Sequence, residues 1–491
     1  MSQYWILAAI GLPVLGSLLI PQLPFRKRRG MCLYVEAVVF LTSCIVGMLL
    51  LEGVTEVFHV VHFINDLSIS FKIDGVTMVF AGLIAVLWPL ATLYAFAYME
   101  HAEHEKSFFM FYTMTYGVTL GIAFSSDMVT MYFFYELLTL VTVPLVMHSL
   151  NRESILAVRK YLYYSIGGAA FALMGLIILI VYGDTCEFAL GGVMNADALH
   201  NHRELLLWIY FFSFMGFGVK AAVFPLSSWL PQAGVAPTPV TALLHAVAVV
   251  NAGAFAIIRL TYYSFGTDFL QGTWVQDVCM ALAMFTIVYG CSRAVKETHI
   301  KRRLAWSTVS NLSYIMFGVT IMSPLGLVGA LAHFVFHGFM KICSFLCAGA
   351  FMHQTGKRYI YEMDGMGRRM KVIFGCFAVS GLGLMGVPGF AGFISKWNLT
   401  GAAVESGNPL AYGGIACLMV SALLTAVYMM NVVVRAFFPK EELDETTLAG
   451  VKDPGWQMCV PILVCACCVI LLGLYSEPLI VFFWDVALGR K

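Results

Sequence analysis

Phe211-Phe212-Ser213-Phe214-Met215-Gly216-Phe217-Gly218-Val219-Lys220-Ala221-Ala222-Val223-Phe224-Pro225 decides how the sequence is read: an apolar run with one lysine inside it and glycine and proline close by. Such a run needs an apolar solvent, and the rest of the chain agrees. Of 491 residues, 60% are hydrophobic and 12% charged, where a soluble domain carries about 25% charged residues. Mean hydropathy is +0.84. The bilayer is therefore the solvent, and the fold class is an all-α polytopic membrane protein. A net charge of +1, with the basic residues in short clusters, argues against a nucleic-acid partner. The cysteines lie almost entirely in apolar runs, as Cys465, Cys467 and Cys468 do, and read as small core residues.

Crossing about 30 Å of hydrocarbon takes roughly 17–25 apolar residues, and about fourteen such runs can be marked. They lie near 4–21, 31–51, 75–98, 107–124, 127–148, 160–183, 205–225, 238–264, 275–295, 304–322, 325–351, 372–397, 411–437 and 457–475. A last piece, Leu479 to Leu488, is too short to cross alone. Tyr4 to Ile20 has neither the basic leader nor the small-residue cleavage site of a signal peptide and reads as a retained first helix. Phe58 to Ile73 alternates loosely and is rich in β-formers, which predicts a small extramembrane hairpin. No linker or low-complexity tract divides the chain, so residues 1–491 read as one membrane domain.

Lysine and arginine in the loops set orientation, because cytoplasmic loops retain positive charge. One set of loops holds Arg26, Lys27, Arg28, Arg29, Lys106, Arg152, Arg159, Lys296, Lys301, Arg302, Arg303, Lys357, Arg358, Arg368, Arg369, Lys371, Lys440 and Lys452. The opposite set holds Lys72, Arg203, Arg490 and Lys491. Both termini are thus expected on the non-cytoplasmic side of the cell (inner) membrane.

Lys160, Lys220, Arg259, Arg293, Lys341, Lys396 and Arg435 remain inside the runs. Lys160, Arg259, Arg293 and Arg435 lie near helix ends, where a long side chain can snorkel to water. Lys220, Lys341 and Lys396 lie near glycine, two of them also near proline, where a helix can break and expose carbonyls to a polar interior. Lys396 could still snorkel if its helix were straight. One carboxylate matches them, Glu136, in Tyr132-Phe133-Phe134-Tyr135-Glu136. An ionised side chain at the membrane centre costs about 2.5–3.5 kcal/mol on insertion scales, which favours a Glu136–Lys220 ion pair. Burial disfavours the charged form of a lysine and a carboxylate favours it, so opening and closing the pair would release and recover a proton.

His333, His337 and Lys341 recur at i, i+4 spacing and share one helical face. Histidine exchanges protons near neutral pH, so the stripe reads as a proton relay, with His245 as a further point. Each histidine taken alone reads more simply as a hydrogen-bonded core residue; it is the set that points to conduction. Zinc is disfavoured, because no glutamate completes H-E-x-x-H and the stripe continues into a cationic lysine. Glu36 has no stripe around it and reads as a local hydrogen-bonding residue. With no P-loop or C-x-x-C-H, no cofactor, metal or catalytic site is expected.

The stretch Gly216 to Ala233, continuing through Ala236-Pro237-Thr238-Pro239 to His245-Ala246, resembles the antiporter-like subunits of respiratory complex I, membrane-bound hydrogenases and multisubunit cation/proton antiporters. The match recurs at Arg303-Leu304-Ala305-Trp306-Ser307, at His337-Gly338-Phe339-Met340-Lys341 and at Gly392-Phe393-Ile394-Ser395-Lys396-Trp397. It covers essentially the whole chain and looks closest to the D-type antiporter subunit or the hydrogenase type. The resemblance implies about fourteen helices with two inverted five-helix repeats, about 107–264 and about 275–437, with helices 7 and 12 broken. It places peripheral helices at about 75–124 and 457–491. It assigns Glu136 and Lys220 as a regulatory ion pair, His245 as a relay on helix 8, Lys341 as the central lysine and Lys396 as the terminal one. His333 and His337 are similar to the histidines that flank the central lysine in some members. Asn251 departs from the pattern, since many relatives carry lysine there, so His245 and water must bridge towards Lys341. No long lateral helix like that of the largest complex I subunit is expected after the last run.

The resemblance implies a proton-translocating subunit whose partners are other membrane subunits, with paralogous antiporter-like chains, iron–sulfur subunits and sodium as the alternatives that would define its parent complex. A different class is a stand-alone secondary transporter of an organic solute, in which Lys220 and Arg259 would bind an anionic substrate between broken helices.

Overall fold

A run of apolar residues in lipid must satisfy its backbone internally, and the chain does so with helices almost throughout. The computed structural model describes residues 2–63, 67–439 and 450–491. In chain order the first elements are α1 (Ser2–Leu19), α2 (Arg28–Glu52), β1 (Phe58–His62), β2 (Ser68–Phe71), α3 (Gly75–Tyr98), α4 (Glu105–Phe124), α5 (Met128–Val146), α6 (Arg152–Tyr182) and the short α7 (Ala196–Asn201). Next come α8 (Arg203–Lys220), α9 (Trp229–Ala233), α10 (Thr238–Ala246), α11 (Val249–Ile258), a π-helical turn (Arg259–Phe265) and α12 (Thr267–Leu270). The second half holds α13 (Trp274–Lys296), α14 (Ile300–Ile321), α15 (Pro324–Thr355), α16 (Lys371–Met385), α17 (Ala391–Glu405), α18 (Pro409–Phe437), α19 (Trp456–Leu474) and α20 (Glu477–Ala487).

Among the described residues, 11 helical spans are long and apolar enough to cross a membrane. With α1 and the interrupted pairs α8/α9 and α16/α17 they account for every apolar run marked in the sequence. The breaks expected in helices 7 and 12 are present. The expected hairpin forms from β1 and β2, which pair antiparallel; its tip, 64–66, lies outside the described residues, as does Lys440.

Burial sorts the helices. α10, α11, α14 and nearly all of α15 are enclosed on every side, whereas α2, α6, α18 and α19 present large apolar side chains outward, such as Leu33, Ile166, Leu423 and Leu471. That is the arrangement expected when lipid is as apolar as the core. The loops fall into two sets that bond among themselves. Arg28 meets Glu105 at 2.6 Å and Arg302 meets Glu153 at 2.8 Å. On the other side Lys72 N donates to Phe124 O at 2.8 Å and Phe188 N to Ser126 O at 2.8 Å.

One expectation of continuity fails. The run 238–264 is not a single α-helix: it breaks at Val247–Ala248, where Ala248 has φ −84° and ψ −85°. Neither glycine nor proline marks the place. Asn251 supplies the compensation, its Nδ2 donating to Ala246 O at 3.0 Å, so a carbonyl at the break keeps a partner.

Candidate proton pathway

Lys220 closes α8. Ala222 takes a left-handed backbone with φ 57° and Pro225 cannot continue a helix, so the chain turns away and leaves the lysine at a helix end inside the protein. Trp229 Nε1 donates to Val219 O at 2.8 Å, which satisfies one carbonyl freed by the break. Gly253 of α11 lies against this end so closely that a Cβ there would stand 2.4 Å from Ala221 N. The Lys220 ammonium donates to the carbonyl of Tyr135 and sits 3.3 Å from the centroid of the Tyr135 ring. Glu136 Oε1 is 4.0 Å away, with 29% of the Glu136 side chain exposed against 1% for Lys220. The expected pair therefore stands at the outer edge of ion-pair distance, and a tyrosine is the lysine's close partner.

His333, His337 and Lys341 lie on one face of α15, all fully buried. The two imidazoles stack at 5.9 Å. Lys341 Nζ donates to Ser307 Oγ at 2.6 Å and Leu304 O at 3.3 Å, both on α14. His333 Nδ1 meets Ser395 Oγ of α17 at 2.9 Å. His245, at the end of α10, stacks on Phe345 of α15 at 4.8 Å. Neither ring nitrogen of His245 or His337 has a hydrogen-bond partner among the described residues. Buried polar atoms almost always have partners, so these four nitrogens stand out as donors and acceptors left open.

Lys396 does not snorkel. α16 ends before it, and the side chain folds back to donate to Leu384 O at 2.7 Å and Met385 O at 3.0 Å, carbonyls at the negative end of that half-helix. Gly386 makes room: its φ is 86° and a Cβ would stand 2.8 Å from Lys396 Cδ. The ammonium lies 5.2 Å from the Tyr314 ring centroid, and that ring is 5.0 Å from His333. The glycines Gly381, Gly383 and Gly386 carry the spacing of a dinucleotide-binding turn, but they lie along α16 and at its end with no strand before them, so they serve helix packing.

Arg259 contradicts the snorkelling expectation. It is 1% exposed, and its guanidinium grips Asp74 through two bonds of 2.7 and 2.8 Å, with Thr77 Oγ1 at 3.1 Å and the rings of Phe188, Phe255 and Tyr263 around it. Burial alone raises the Asp74 carboxyl, but Arg259 outweighs it and holds the group below its usual range. Lys160, Arg293 and Arg435 do stay at the rim, Arg435 paired with Asp364 at 3.2 Å. Two residues assigned to loops are buried instead. Lys301 Nζ donates to Ala236 O at 2.6 Å, and Arg303 donates to Tyr428 O at 2.9 Å and Glu297 O at 2.9 Å. Set beside Arg302, they look like a solvated basic cluster, and only the helix start at Ile300 turns them inward. His299, just before that start, is pushed down to about 4 by burial and by Lys301, Arg302 and Arg358. Glu36 Oε2 has no hydrogen-bond partner among the described residues.

Residues 125–427 match the transmembrane family described as NADH:quinone oxidoreductase/Mrp antiporter, and residues 62–109 match the N-terminal segment of complex I chain 5. The chain is 30% identical over 410 residues to NADH-quinone oxidoreductase subunit N of Desulforudis audaxviator, covering 81% of this chain and 80% of that protein. It is 31% identical over 362 residues to a Na(+)/H(+) antiporter subunit from Alkalihalophilus pseudofirmus, covering 70% of this chain and 44% of that longer protein. The fold superposes on a chain of the Mrp complex from Dietzia sp. DQ12-45-1b with a TM-score of 0.85 at 21% identity, covering 99% of this chain and 97% of that one.

Proposed function

The chain belongs to the NADH:quinone oxidoreductase/Mrp antiporter transmembrane family, and from that premise we propose that it is a proton-translocating subunit of a multisubunit energy-converting membrane complex. The observation that carries the reading is the row of basic side chains held almost wholly out of water: Lys220, His245, His333, His337 and Lys341. Insulated cations are costly, and a chain tolerates several in one row when each must gain and lose a proton. In this reading protons pass from the cytoplasmic side towards Lys220 and His245, move sideways along Lys341, His337 and His333, and leave near Lys396. Glu136 gates the first lysine; its 4.0 Å separation is one that a small motion can close or open.

The repeats belong to this proposal. In each half a broken helix is the fourth of five crossings, and five crossings return the chain to the opposite side, so a second copy of the unit runs inverted. Two kinds of parent complex fit. Iron–sulfur partners would supply redox energy, and a cation gradient would supply it in an antiporter assembly. The location proposed is a cell (inner) membrane with both termini non-cytoplasmic, following the loop charges. The solute-transporter reading loses its anion site, because Arg259 is already occupied by Asp74.

The test uses the intact complex in proteoliposomes. Lys341→Ala and Glu136→Ala are each expected to abolish proton pumping while the complex still assembles. Near-normal pumping in both would sink the proposal, and the subunits that co-purify identify the energy source.

A further inference from the structure

A second connection leaves Lys341 by a route that avoids the histidines. Ser307 Oγ, which accepts from the Lys341 ammonium at 2.6 Å, is also 2.6 Å from the hydroxyl of Tyr428. Tyr428 lies 3.1 Å from Thr425 Oγ1. Thr425 is 3.7 Å from Cys291 Sγ, and Cys291 is 3.0 Å from Ser421 Oγ. Ser421 accepts from the Tyr314 hydroxyl at 2.6 Å, and Tyr314 is the residue whose ring lies beneath Lys396. Every member is buried. They come from α13, α14 and α18, whereas the histidine stripe is on α15.

From this arrangement we infer that the hydroxyls and thiol of α13, α14 and α18 form a second proton wire joining Lys341 to the Lys396 end. The inference rests on the proton-translocating reading above. A hydroxyl can accept one proton and donate another, so each link passes a proton by breaking one O–H bond as the next forms, and every hydroxyl ends neutral. Lys341 is left neutral, and the proton that leaves the Tyr314 hydroxyl is taken up by the neutral amine of Lys396, whose Nζ lies 5.2 Å from the Tyr314 ring centroid.

The wire has a built-in gap. Thr425 Oγ1 donates to Ser421 O at 2.7 Å, and Ser310 Oγ, 3.1 Å from Cys291, donates to Ile287 O at 2.8 Å. Donors therefore run inward from both ends and stop on backbone carbonyls around Cys291. Conduction towards Lys396 requires the Thr425 hydroxyl to turn from the Ser421 carbonyl towards Cys291 and the Tyr314 hydroxyl to turn from Ser421 towards Lys396, and the Thr425 rotation is the step at which flow along the wire is controlled.

The assay is proton pumping by the intact complex in proteoliposomes, normalised to assembled complex. Thr425→Val keeps the shape and removes the hydroxyl that links the two halves; it is expected to slow pumping about twofold, the share of one of two parallel routes, because the histidine stripe stays open. Thr425→Ser, which restores the hydroxyl, recovers the rate. Tyr428→Phe is expected to match Thr425→Val. If Lys341→Ala abolishes pumping while Thr425→Val and Tyr428→Phe pump at the wild-type rate, the wire is wrong and the proton-translocating reading stands. If Thr425→Ser is as slow as Thr425→Val, packing and not the hydroxyl is responsible, and the wire is again overturned. If Lys341→Ala itself pumps normally, both fall together.

Discussion

Two pairs that join a buried cation to a carboxylate are built in opposite ways. Asp74 and Arg259 meet through two short bonds of 2.7 and 2.8 Å inside a cage of aromatic rings. Glu136 and Lys220 face each other at 4.0 Å, and the lysine spends its closest bond on a backbone carbonyl. A bidentate arginine cannot give up its proton and is held by geometry as well as charge. A lysine that touches its carboxylate only at the limit of Coulombic contact can change partner and protonation state. The first pair fastens the π-helical turn after α11 to the start of α3; the second is free to switch.

The sharpest way to break this contrast is to remove one carboxylate at a time and measure stability. Asp74→Asn strands a buried guanidinium, and a loss of about 3–5 kcal/mol is expected in chemical or thermal unfolding of the purified complex. Replacing both partners with apolar residues should recover most of that loss. The linkage has a definite sign. The folded Asp74 carboxyl titrates below its unfolded value, so its contribution is complete above about pH 4 and is lost as pH falls through the folded value. Glu136→Gln should cost less than about 1 kcal/mol, because the partly exposed carboxylate gives up only a distant partner, yet it should stop pumping. Equal stability losses at the two sites would erase the distinction between a fastening pair and a switching one.

The legible part of this molecule was what periodicity and hydropathy can express. The apolar runs mark the crossings, and the i, i+4 spacing of His333, His337 and Lys341 is enough to place them on one face. The breaks after Lys220 and before Lys396 show themselves through glycine and proline. The break at Val247–Ala248 does not, since Ala246-Val247-Ala248-Val249 has no breaker, and only Asn251 hints at a carbonyl in need of a donor. Asp74 and Arg259 are 185 residues apart, and no local rule pairs a helix-capping aspartate with an arginine that could as well reach water. Lys301 was hidden by its neighbours, and the serines, threonines and tyrosines of α13, α14 and α18 by their ordinariness: in a membrane helix such residues usually bond their own backbone. Which of them meet across helices is a property of packing alone.

The central claim is that protons pass through the buried basic row, and Lys341 is where the routes along it join. Lys341→Arg keeps the positive charge and the donors but cannot release a proton at any physiological pH. Measured in proteoliposomes against assembled complex, it is predicted to pump no better than Lys341→Ala. Pumping at the wild-type rate by Lys341→Arg would mean that the site needs only a fixed charge, and would contradict proton transfer through this residue.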